Sequence, residues 1–423
     1  MTLVALGLTA AGTARAQTAG HYTIHEWGTF TSVQGGDGKL LDWRPLQSSA
    51  LPGFVYNWNR PGLNVYPTTI PLGGKSAMVT LQRMETPVVY FYSDRTLQAD
   101  VSVGFPPGAI TEWYPQASQI GPSVTSAWTN ATPPPPDASL RESRVTWSHL
   151  TLTPPGRAGS GLAGRLPTDT QGSHYFAARV AGADFVQTDA TGQRGGTNET
   201  EQFLFYRGAG SFKTPLQVAV DAQRRTVVAN TGTEKLAHLL VMRVTAGEGA
   251  FLPVTDLAAG GTRTVADMDG GWKHYPLAQF QAKIGAQMEA ALMAEGLFAP
   301  EARAMVQTWR DSWFTEEGTR VLYLLPRSWT DGILPMTLDP RPEELVRVMV
   351  GRAEVITPAV SAQLLDNLTR AQAGDAEARK QAGQTVQKLG RFAWPALTLA
   401  LGPGNTNAVA ELGYQLMLKA AQE

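Results

Sequence analysis

The 423-residue chain contains no cysteine. That excludes disulfide staples, thiolate metal sites, cysteine nucleophiles and dithiol redox chemistry. A chain of this length can bury a core without staples. Charge is also scarce. Only 17% of residues are charged and the formal net charge is −1, so nothing electrostatic points to nucleic acid or an anionic membrane. No apolar run approaches the roughly 20 residues that a membrane-spanning helix needs. The six histidines are scattered, without the spacing that metal ligands require, and no metal or other cofactor is expected.

Glycine (43) and proline (28) are plentiful, which favours a turn-rich β protein. The first residues, MTLVALGLTAAGTARA, are small and apolar and end in Ala14-Arg15-Ala16. They read as an export leader, residues 1–16, with the mature chain starting near Gln17 in the periplasm or outside the cell. The leader lacks a basic beginning, so the true start codon is expected upstream.

From His21 to about Val265, short β-rich stretches such as METPVVYFYSD, LQADVSVGFP and SRVTWSHLTLTP follow one another between turn residues. This pattern predicts β-sandwich-like modules. The run TPPPPD at 132–137 cannot join a β-ladder. It divides a first β unit (17–131) from a second, sandwich-like unit (138–270). Phe280, Ile284, Met288 and Leu292 then fall four apart, and Met305, Val306, Trp309 and Trp313 form a second apolar stripe. These predict a helical hairpin, followed by strands, across 271–356. Thr357-Pro358 looks like a helix start, and 357–423 reads as C-terminal helices suited to a protein partner. The fold class expected is mainly β with α.

HEWGT suggests the zinc motif H-E-x-x-H, but Thr29 stands where the second histidine should be. On a strand, His21 and His25 would sit about 13 Å apart and could not share a metal. His25 and Glu26 would face opposite sides. GGKS at 73–76 lacks the upstream glycine of a phosphate loop, and DMDGG at 267–271 lacks the distal glutamate of a calcium loop. Aromatics beside acids suit sugar binding, so His25, Trp27, Trp113 and Tyr114 are candidate ligand contacts. Glu26, Glu85, Glu112, Glu316 and Glu317 are candidate catalytic acids. Glu316 and Glu317 fall at a helix C-terminus, where the macrodipole disfavours negative charge. They call for a cationic partner, expected to be Arg310 or Arg320.

HEWGTFTSV, METPVVYFYS, FPPGAITEWYP, FLFYRG and EARAMVQTWRDSWFTEEGTRVLYLLPR together resemble a family of uncharacterised secreted proteins from environmental bacteria. The resemblance covers most of 21–356 and implies bacterial export. It implies no activity and no catalytic residues.

Two functions fit. One is an exported envelope or extracellular binding or scaffold protein, for a carbohydrate-like polymer or a small molecule. The alternative is a carboxylate-dependent hydrolase, acting on glycans, which would need two carboxyl groups about 5–9.5 Å apart. Binding is preferred, because no catalytic motif is complete. Convergence of His25, Glu26, Glu85 and Glu112 in one pocket would favour the enzyme.

Overall fold

The computed structural model describes residues 21–46, 51–63, 65–67, 78–121, 123–125, 143–170, 172–189, 198–265, 271–402 and 404–421. The leader at 1–16, the proline run at 132–137, GGKS and all but the last glycine of DMDGG lie outside them. The described chain is mainly β with α: 39% strand against 32% helix.

Its centre is a ten-stranded sheet. In spatial order its strands are His274–Pro276, Glu248–Leu257, Leu236–Thr245, Gly318–Leu324, Glu344–Ile356, Tyr22–Gly35, Gln82–Ser93, Leu204–Gly210, Gly108–Tyr114 and Tyr56–Asn57. The first strand, Tyr22–Gly35, pairs in parallel with Glu344–Ile356, with Trp27 opposite Val348. On its other side it runs antiparallel to Gln82–Ser93. A bulge between Trp27 and Thr29 marks Gly28. A Cβ there would lie 2.9 Å from Pro87 Cα and 3.0 Å from Met349 Sδ, so close backbone approach explains the glycine.

Both faces of this sheet are covered, and every residue of Tyr22–Gly35 is buried. Trp27, Val88 and Tyr90 face the helical hairpin, Leu277–Ala294 and Ala299–Phe314, and meet its stripe of Phe280, Ile284, Met288, Met305 and Trp313. Ile24, Met84, Val89 and Phe91 face the other way, into a core shared with Val101, Val103, Val145, Trp147 and Leu150 of a six-stranded sheet. A third core joins Val33, Trp43 and Ile356 to Leu364, Leu368, Val386, Phe392 and Leu397. It docks the helices Pro358–Gln372, Ala376–Leu389, Ala393–Leu401 and Ala408–Ala420 on the end of the central strands.

The sheets do not follow the divisions at 131, 138 and 270. The central sheet takes strands from all three stretches, and Ser143–Thr153 pairs with Leu97–Phe105 across the proline run. Turn signals mark where a strand ends, but they say nothing about which distant strand it joins.

Candidate functional site

The candidate residues on the first strand are divided by its pleat. On the helical face, His25 Nδ1 lies 2.8 Å from Glu301 Oε2. Glu301 is fully buried and also accepts hydrogen bonds from Tyr92 Oη (2.7 Å) and the Phe298 amide (2.7 Å). Glu301 was not among the candidates. Its position in the first turn of a helix reads as an N-terminal cap, and its partner histidine is 276 residues away. On the sandwich face, Glu26 accepts from Arg347 Nε at 2.6 Å and from the Tyr206 hydroxyl.

Glu85 accepts from Arg391 Nη1 at 2.9 and 3.2 Å, with Arg83 Nε 3.8 Å away. Burial works to raise its pKa. Arg391, Arg83, the Thr31 hydroxyl and Arg352 outweigh this and hold it down to about 2. Glu112 is bound bidentately by Arg207 at 2.8 and 2.9 Å. His25, Glu26, Glu85 and Glu112 therefore do not converge in one open pocket, and each is 2% exposed or less. Trp27, Trp113 and Tyr114 are no ligand platform either. They are 0%, 1% and 3% exposed and belong to the packed cores, so these aromatic contacts are corrected to core positions.

Glu316 and Glu317 part company. The Glu316 carboxylate accepts from Arg352 Nη2 at 2.7 Å. Burial would raise its pKa, but Arg352, Arg391 and Arg320 hold it below the usual carboxylate range. The partner is thus Arg352 rather than Arg310. Arg320 acts on the backbone instead, donating to the Trp313 carbonyl (2.8 Å) and the Glu316 carbonyl (2.6 Å). It satisfies the carbonyls at the helix end and offsets the macrodipole. Arg320 and Arg352 share Glu354, at 2.9 and 2.7 Å.

Glu317 pairs instead with Lys388 Nζ at 3.2 Å. Both line a cleft of about 640 Å³ between the C-terminal helices and the end of the central sheet. One wall is a face of Ala376–Leu389, with Gln381, Gln384, Thr385 and Lys388 at i, i+3, i+4 and i+7. Gln363 joins it from the preceding helix. The opposite wall carries Asp221, Arg224, Arg243 and Thr319, and the floor is apolar: Val355, Ile356, Val360, Leu389 and Phe392. Gln363 and Gln384 are exposed, and their amides make no hydrogen bond among the described residues. Arg352 and Arg391 lie over the Phe392 ring, at 5.1 and 4.9 Å from its centroid. In sequence, this helix face looks like any solvated one. Only the tertiary fold sets it against a concave surface.

Among the described residues, no group of three or more acids or histidines could hold a metal ion, and no helix is long and apolar enough to cross a membrane. No protein-family model matches the chain, and no curated protein aligns with it. Among solved structures, the yeast delta-COP-I mu-homology domain complexed with a Dsl1 WxWxV peptide is 7% identical, with 79% of this chain and 96% of that chain covered and a TM-score of 0.24. The same yeast domain alone is 5% identical, with 79% and 97% covered and a TM-score of 0.23. At that TM-score the likeness carries no argument about fold or function.

Proposed function

We propose that this is an exported binding protein whose ligand site is the cleft between the C-terminal helices and the central sheet. The observation that carries the reading is a concave, mostly apolar surface of about 640 Å³ with unbonded Gln363 and Gln384 amides at its rim. Small-molecule sites combine those features: apolar walls with a few convergent polar groups. Export rests on the leader-like residues 1–16 and on the resemblance to secreted bacterial proteins. The hydrolase alternative loses support, because it needs a carboxylic acid free to donate a proton. Glu26, Glu85, Glu112 and Glu316 are each engaged by an arginine, and Glu317 is paired with Lys388. A glycan would want an open aromatic face, and the Phe392 ring already has two guanidinium groups over it. A small molecule therefore suits the cleft better than a polymer. The test is a thermal-shift screen of the mature chain against a metabolite library, repeated with Val360→Trp, which fills the floor. Hits that vanish in the variant, at an unchanged melting temperature without ligand, support the cleft. Hits that persist place binding elsewhere and overturn it.

A further inference from the structure

Resting on that reading of the cleft, we infer that its ligand is an uncharged amphipathic carboxamide, with the hydrocarbon on the floor and the amide held by neutral groups of the two walls. The floor residues Val355, Ile356, Val360 and Leu389 offer hydrocarbon and no charge. The charged lining balances: three acids, Asp221, Glu317 and Glu354, stand against three bases, Arg224, Arg243 and Lys388. Each of the six is also engaged. Arg225 holds Asp221 at 2.7 Å, Lys388 holds Glu317 at 3.2 Å, and Arg320 and Arg352 hold Glu354 at 2.9 and 2.7 Å. Arg224 and Arg243 have partners as well. An ionic head group of either sign would have to displace a partner already in place. It would give up its hydration only to exchange one ion pair for another.

The polar groups left over are neutral and stand on both walls. On the helical wall, the Gln363 and Gln384 amides make no hydrogen bond among the described residues. On the opposite wall, the hydroxyls of Thr226 and Thr319 make none there either, although the two residues are only 2% and 7% exposed. A glutamine at an exposed rim can turn to water. A hydroxyl on a residue that is more than nine-tenths buried normally has a partner, so these two mark where a ligand's polar atoms fit. Amides and hydroxyls both donate and accept. A carboxamide answers them on both counts, with N–H donors and a carbonyl acceptor, and it brings no charge to be desolvated. An alcohol offers a single donor.

The experiment is calorimetric titration of the mature chain with octanamide, octanoate, octylamine and octanol. Octanamide should bind at least about fivefold more tightly than each of the others, as one further net hydrogen bond implies. Thr319→Val removes one hydroxyl at nearly constant shape and should weaken octanamide by about fivefold. Gln384→Met, at an exposed position, should weaken it by about the same factor. Lys388→Gln should change it by less than about twofold, because the exposed pair with Glu317 takes no part. Octanoate, octylamine or octanol binding as tightly as octanamide, octanamide binding unchanged in both Thr319→Val and Gln384→Met, or no binding of any probe would overturn the carboxamide assignment. Val360→Trp separates that failure from failure of the cleft. If it abolishes binding that ignores the head group, the cleft stands and the carboxamide falls. If octanamide binds it unchanged, the cleft itself is wrong, and the assignment falls with it.

Discussion

Arg391 and Glu85 are 306 residues apart in the chain, and their side chains meet at 2.9 Å. Arg391 lies in the 3-10 turn that leads into the helix Ala393–Leu401, and Glu85 lies in the strand beside the first one. Arg391 also donates to Ser312 Oγ at 2.9 Å. The pair therefore ties the C-terminal helices to both the central sheet and the hairpin.

Arg391→Met leaves Glu85 buried without its closest cation, with the Thr31 hydroxyl and the more distant Arg83 and Arg352 still acting on it. Breaking a buried pair from one side costs about 3–5 kcal/mol. The expected outcome is a loss of that order in chemical denaturation. Limited proteolysis should also cut faster within 357–423. The double variant Arg391→Met with Glu85→Gln should recover part of the loss.

Glu316 contributes stability through a lowered pKa, and the sign follows from that direction. Its contribution is present above the unfolded pKa and fades as acid carries the pH down through the folded one. Glu316→Gln should lower the melting temperature at pH 7 and leave it little changed at pH 2–3. The effect is at most about 1 kcal/mol, because the carboxylate is partly exposed. Glu317→Gln should alter melting less than Glu316→Gln at pH 7.

Asp184 behaves in the opposite sense. Burial pushes its pKa up to about 6, against hydrogen bonds from Ser93 that lower it. A raised folded pKa gives stability that is full below the unfolded value and lost as pH rises through about 6. Asp184→Asn should therefore raise the melting temperature at pH 8 and give little or no gain at pH 4. A melting series across pH 4–8 checks it, and an equal shift at both ends would refute the raised pKa.

Trp309 is 8% exposed and stacks on Trp313 with ring centroids 6.2 Å apart. Trp309→Ala should cost about 3–5 kcal/mol, as expected for emptying a large core site. A loss under about 1 kcal/mol in urea unfolding would mean that the ring packs on little.

The hairpin is legible in the sequence because its information is local. Phe280, Ile284, Met288 and Leu292 repeat within one helix, and all four are fully buried. The strands are legible for the same reason, from Val88 to Tyr92 or from Val101 to Val103. Pairing is not local, so nothing near Trp27 announces Val348. The acids illustrate the same limit. Glu26, Glu85 and Glu112 stand out as charges among strand formers, but their arginines, 347, 391 and 207, come from distant elements. An acid beside aromatics looks the same in sequence whether it awaits a substrate or a guanidinium. The cleft is hidden for a further reason. Its polar wall is a helix face whose period is readable, while its concavity arises from the docking of the C-terminal helices.

The parallel pairing at the middle of the sheet imposes an order on synthesis. Gln82–Ser93 is available to the first strand early, but its other neighbour, with Arg347 beside Glu26, comes 321 residues later. Until then, a strand destined to be buried on both faces has one unpaired edge, which is a template for wrong partners. A ribosome-bound chain truncated before Glu344 should thus be captured by chaperones that bind apolar strands, and release should follow once Glu344–Ile356 has emerged. The seam at the middle of the sheet stays open until Glu344–Ile356, the last of its strands to be made, has emerged.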